Sequence, residues 1–226
     1  MTRPSLPALA GQLGAGHFIR VLNFHSTPTD SAAELERELI RHAELFSPVT
    51  LDDLDRYVDS GRWHHDRPGL IPVFYEGFRN GITVAAPLLD ALGLTGWFAI
   101  PTGFIDCDTD HQEAFARSHW IRLAAEDQHG GRIAMSWDEV AALSERHVIM
   151  AHTARHEGYE TVHTAEDLER EVAEPKRRID AVTGRPTPGF VWLHGTSWGN
   201  RELHDRAVRE AGYRYVFSNT MIHRIG

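Results

Sequence analysis

Six short apolar runs punctuate the chain, at residues 18–24, 70–75, 95–100, 147–151, 189–193 and 213–218. They are separated by longer stretches with helical spacing of their apolar residues. A run of four to eight apolar residues buries a strand, and an intervening amphipathic stretch buries one helical stripe. Strands that alternate with helices are parallel, because each connection must cross back over the sheet before the next strand begins. The chain therefore reads as α/β, with parallel strands in a barrel or an open sheet. In either arrangement the chemistry gathers at the carboxyl ends of the strands.

The helical stretches carry their own boundary signals. Residues 31–46 begin at Ser31, residues 50–61 run from Thr50 to Gly61, and residues 82–93 end at Gly93. Residues 136–146 open with Ser136 and Glu139, spaced as a capping box. Residues 164–184 start at Thr164 and stop at Gly184, and Pro175 inside them predicts a kink. Residues 201–212 form the last helix. One region breaks the alternation: residues 102–135, rich in Asp, His and Gly, read as a long excursion that covers the site or carries a subunit contact.

The length of 226 residues suits one large domain, here residues 1–226 with a core over about 18–218. A formal charge of −9 argues against nucleic acid or an anionic membrane as a partner. The single cysteine, Cys107, excludes an intramolecular disulfide and a cysteine-ligated zinc site. No segment has the length and apolarity of a signal peptide or a membrane span, so the expected location is the cytoplasm.

The polar residues expected at the strand ends form a chemical set. His25 follows the first strand, Tyr75 and Glu76 the second, His152 the fourth with His156 four residues on, and His194 the fifth. A carboxylate with two imidazoles is a nitrogen and oxygen set that zinc accepts, with an open position for water. Each residue alone also has an ordinary reading, as a cap, a surface charge or a satisfied histidine. Trp97, Trp137 and Trp192 read as core, Trp198 as a better pocket-lining residue, Cys107 as a bystander, and Arg79 as a surface residue or an anion contact.

Several segments resemble the polysaccharide deacetylase family, carbohydrate esterase family four. They are VLNFHSTP, PVFYEGFRNGITVAAPLLDALGLTGWFAIPTGFID, MSWDEVAALSERHVIMAHTARH, LEREVAEPKRRIDAVTGRPTPGFVWLHG and REAGYRYVFS. The resemblance spans about Val21 to Phe217 and implies a deformed (β/α) barrel of about seven strands. It also implies metal-dependent removal of N- or O-acetyl groups. The family's metal-binding Asp falls on Glu76 and its two His on His152 and His156, with Thr153 between them. The family's base, an Asp, falls on Tyr75, and its Pro-Tyr-Gly segment reads Leu193-His194-Gly195. The chain stops at Gly226, where the family continues with another motif; MIHRIG, with His223, stands in its place.

The favoured expectation is a hydrolase of an N-acyl or ester bond. Glu76, His152 and His156 hold a divalent metal, zinc by preference, and His194, Tyr75 or His25 moves protons. The expected substrate is a small cytoplasmic metabolite rather than a wall polymer. An open sheet edge predicts a homodimer or larger homo-oligomer. Two alternatives accompany it. One is a same-fold lyase, cyclase or isomerase, with or without metal, that uses Tyr75, His25 and His194. The other is a non-catalytic binding protein.

Overall fold

The structure is a computed structural model, and it describes residues 13–128, 131–199, 201–218 and 221–225. All six apolar runs are strands of a single sheet. In chain order the strands are β1 (Ile19–Phe24), β2 (Ser47–Pro48), β3 (Gly69–Tyr75), β4 (Trp97–Ile100), β5 (Val148–Ala151), β6 (Gly189–Val191), β7 (Tyr215–Phe217) and β8 (Ile222–Arg224). The sheet order is β1-β3-β4-β5-β6-β7-β8, with β2 beside the first residues of β3. Every pairing from β1 to β7 is parallel, and β8 closes the order antiparallel to β7. Seven strands thus form a curled half-barrel. Its two end strands, β1 and β8, do not pair with each other among the described residues. The two short strands β2 and β8 carry too few residues to show a period of their own.

Strand alternation sorts the core into two layers. On β3, Leu70 and Phe74 pack outward against the helices, while Ile71 and Val73 face the barrel interior with Trp97, Met150 and Tyr215. Tyr75 continues the inward series, so the period of two places its ring at the top of the interior layer. That layer is buried, and it forms the floor on which the strand-end residues stand.

The helices are α1 (Ala32–Leu45), α2 (Leu51–Ser60), α3 (residues 81–91), α4 (Thr102–Asp106), α5 (Gln112–Ser118), α6 (Trp137–Leu143), α7 (residues 165–183) and α8 (Glu202–Glu210). Thr50, Ser136 and Thr164 each close a capping box, with Asp53, Glu139 and Asp167. Ser31 occupies its expected position but makes no side-chain cap; its hydroxyl bonds Asp30 instead.

Helices α3 and α7 are not regular. Each contains a π segment, Gly81–Ala85 and Glu169–Ala173, placed two residues before a proline, Pro87 and Pro175. Proline lacks the N–H that an α-helix would use there, and one wide turn absorbs the missing bond. The expected kink at Pro175 thus takes the form of a π bulge. The excursion over residues 102–135 is not a loop throughout: it holds α4 and α5 before it returns to β-bridge with Phe78 through Ala134.

Candidate active site

Glu76 follows β3, and the chain turns there by two left-handed residues, Glu76 (φ 66°) and Gly77 (φ 68°). A Cβ on Gly77 would lie 3.0 Å from Ile105 and 3.1 Å from Ile100. Glycine is therefore required both by the turn and by its neighbours. The turn sends the Glu76 carboxylate back over the interior layer, where it is only 4% exposed.

His152 leaves β5 and is 3% exposed, and His156 follows in the same loop at 2%. The backbone answers one nitrogen of each ring. His152 Nδ1 donates to the Val191 carbonyl at 3.0 Å, and His156 Nδ1 donates to the His119 carbonyl at 2.7 Å. A carbonyl can only accept, so the proton of each neutral ring sits on Nδ1 and Nε2 keeps its lone pair. Burial, and for His152 the neighbouring His156, hold both imidazoles below their ordinary pKa. They are neutral, as ligands must be.

The three side chains converge. One ligand atom from each of Glu76, His152 and His156 lies within 4.8 Å of the others. His156 Nε2 is buried with no hydrogen-bond partner, 3.6 Å from Glu76 Oε1. A buried acceptor left unanswered costs about 1–3 kcal/mol, which a cation between it and the carboxylate would recover. The set fits a divalent metal.

Backbone geometry holds this loop under strain. Thr153 (φ 59°) and His156 (φ 59°) are both left-handed without being glycine. The compensation comes from Glu171, which is fully buried on the π segment of α7. Its Oε2 accepts from the amides of Ala154 at 3.0 Å and Arg155 at 2.9 Å, and its Oε1 takes Arg170 Nε at 2.9 Å. Glu171 was not singled out by its sequence context. An acidic residue on a charged helix gives no signal, and only the widened turn aims it at the loop.

The remaining expected residues gather at the same place with different freedoms. Tyr75 donates to Asn23 Oδ1 at 3.3 Å, and its ring lies 5.5 Å from that of His152. Burial, assisted by the Glu76 charge, pushes its phenol up to about 12. His25 donates from Nδ1 to both Glu76 oxygens, each at 2.8 Å, and its side chain is 63% exposed. That hydrogen bond is the main reason its pKa is raised. His194 (φ 66°) lines the cavity from the β6 loop.

Two chambers meet at these residues, an inner one of about 190 Å³ and an outer one of about 550 Å³. Both are lined by His25, Glu76, His156 and His194. The excursion walls the outer chamber through Trp120, Arg122 and Leu123, so it does cover the site. Trp198 corrects an expectation: it packs on the core beneath Arg209 and lines neither chamber. Trp120, which stands there instead, lay in a segment whose loop path the sequence does not encode. Trp97 and Trp192 are core, and half-buried Trp137 donates to Asp106 under Arg178. Arg79 pairs with Glu139, away from the chambers.

A second carboxylate and two imidazoles, Asp53, His64 and His65, also cluster within 4.8 Å at the start of α2. Asp53 Oδ1 there accepts from His64 Nε2 at 2.8 Å and His65 Nε2 at 3.0 Å, while Oδ2 serves the Thr50 cap.

Among known proteins, residues 115–216 match the polysaccharide deacetylase family. No curated protein matches the chain. Three solved structures share the fold. The deacetylase PplD of Streptococcus pyogenes, in complex with acetate, has a TM-score of 0.68 at 11% identity, covering 92% of this chain and 85% of its own. A de-N-acetylase from Aggregatibacter actinomycetemcomitans gives 0.66 at 16%, covering 92% and 91%. IcaB from Ammonifex degensii gives 0.66 at 17%, covering 89% and 83%.

Proposed function

We propose, from the match of residues 115–216 to the polysaccharide deacetylase family and a fold shared with a deacetylase over 92% of the chain, a metal-dependent hydrolase that removes an acyl group from nitrogen or an ester oxygen of a small molecule. The observation that carries the reading is the meeting of Glu76 with two neutral imidazoles whose free nitrogens face it. Glu76, His152 and His156 would hold the cation. When bound, it supplies Lewis acidity toward water and the acyl carbonyl.

The other residues then divide the work. Tyr75 keeps its proton at every physiological pH, because its phenol is pushed up to about 12. It serves as a donor to the oxygen that gains charge as the carbonyl is attacked, and not as a base. His194, which lines both chambers, moves the proton between water and the leaving group. His25 is a positioning residue: its bond to Glu76 holds the carboxylate over the two histidines.

Two chambers of about 190 and 550 Å³ suit a substrate of one or two rings, which favours a small N-acyl compound over a wall polymer. Self-association through the sheet edge at β8 belongs to the same proposal, and light scattering of the purified chain tests it.

A lyase or isomerase built on Tyr75, His25 and His194 draws less support. The phenol is too weak an acid to shuttle protons, and His25 is occupied by Glu76. Chelation tests the favoured reading. Removing metal should abolish hydrolysis of N-acetyl and O-acetyl substrates, and one equivalent of zinc should restore it. Full hydrolysis by metal-free protein would refute it.

A further inference from the structure

Among the described residues, five that are not glycine adopt left-handed backbone: Glu76, Trp120, Thr153, His156 and His194. Four of them shape the strand-end loops of the site. The fifth, Trp120 (φ 60°), stands across the outer chamber with its side chain turned to solvent, 82% exposed. Both of its neighbours are anchored. His119 stacks on Phe115 and gives its carbonyl to His156, and Ile121 is in the core. The chain therefore accepts a strained residue to hold an indole outward where it buries nothing of its own.

Arg122 is the second unspent group. It is exposed at the same mouth and makes no hydrogen bond or ion pair among the described residues. Its charge nevertheless reaches His25 across the chamber. In a chain of formal charge −9 an arginine facing a cavity without a carboxylate partner is a notable omission. The guanidinium matches a carboxylate or phosphate through paired N–H groups, and an indole face takes a ring.

We propose that Trp120 and Arg122 form an anion-reading subsite, which holds a ring-bearing, negatively charged part of the substrate while its acyl group reaches Glu76, His152 and His156. The substrate class is thus an anionic N-acyl or O-acyl compound, a carboxylate or a phosphate. The acyl part of this statement rests on the hydrolase reading; the binding of the anion does not.

Calorimetric titration of the zinc-loaded chain with two matched pairs tests it. One pair is N-acetylglucosamine phosphate against N-acetylglucosamine, and the other is N-acetylphenylalanine against its neutral amide. The first pair offers phosphate and the second carboxylate. In at least one pair the anion should bind about tenfold tighter than its neutral partner, as a charge-assisted contact gives. Arg122→Gln should bring that pair to within about twofold and leave the neutral member unchanged, while Trp120→Ala should weaken both members alike. Equal binding within both pairs overturns the subsite. So does a preference that survives Arg122→Gln, since the anion would then be held elsewhere, by the zinc itself. Hydrolysis is followed in parallel on neutral acetyl esters. Their turnover without an anion preference sinks the subsite alone, and an anion preference without any turnover sinks the hydrolase reading alone.

Discussion

Among the described residues a carboxylate and two imidazoles meet twice, and the two sets differ in where their ring nitrogens point. Asp53 with His64 and His65, and Glu76 with His152 and His156, each bring one carboxylate and two imidazoles within 4.8 Å. At Asp53 both rings turn N–H groups toward the carboxylate, so the cluster answers itself. The nitrogen left over there, His64 Nδ1, is on the far side of its ring. At Glu76 the two backbone carbonyls of Val191 and His119 hold the N–H groups away, and the lone pairs face inward. The lesson is that a ligand set is defined less by its three residues than by what binds the other nitrogen of each ring.

Removal of His156 should show the difference most strongly. His156→Ala should lower zinc affinity on the order of 100-fold or more, whereas His65→Ala should leave stoichiometry and affinity unchanged; metal analysis and competition with a chelator measure both. Equal losses would erase the distinction. Tyr75→Phe should lower kcat on the order of 100-fold with zinc content intact, because one oxyanion donor is lost. If Tyr75 is a donor with its phenol near 12, the wild-type rate profile has no limb from it between about pH 8 and 10, and a limb there that vanishes in the Phe variant would assign it as a base.

Glu171→Ala should destabilise the chain by about 2 kcal/mol, by leaving the buried amide of Ala154 and the part-buried amide of Arg155 without their acceptor. It should also weaken zinc binding, since the same loop carries both histidines; a lowered melting temperature with unaltered zinc affinity would detach Glu171 from the site.

Acid separates the two clusters. His152 and His156 are held below the ordinary imidazole pKa by burial. Their contribution to metal-free stability is therefore full above about pH 6.5 and is lost as pH falls below it. Burial works to raise the Asp53 carboxyl, but hydrogen bonds from Thr50, His64 and His65 outweigh it and depress the pKa. Its contribution is full above about pH 4 and is lost only below. Melting curves of the metal-free protein should show that His156→Gln flattens the slope as pH falls below about 6.5, and Asp53→Asn only below about 4. The smallest effect is expected of Asp53→Ala at neutral pH, about 1 kcal/mol from the lost cap, with no change in zinc.

Much of the fold was legible because it rests on periodicity. Apolar runs and cap residues marked β1, β3 to β7 and most helices, and the ends of those strands located Glu76, His152, His156 and His194. What escaped follows from geometry that side-chain chemistry does not encode. No residue type announces the left-handed turns at Glu76, Thr153, His156 and His194, where glycine would be expected. The π bulges follow from Pro87 and Pro175, but their consequence, the aim of Glu171, depends on which way α7 faces. Trp120 and Trp198 look alike in sequence, and only the path of the excursion puts one at the mouth of the site and the other on the core. His25 was placed among the proton carriers; its bond to both Glu76 oxygens depends on how β1 lies beside β3.

The most direct test is anomalous scattering from a crystal of the chain grown with zinc. The account predicts one strong peak per chain, between Glu76, His152 and His156 at about 2.0–2.2 Å from each, and none at Asp53. A peak at Asp53, His64 and His65 with nothing at Glu76 would contradict it.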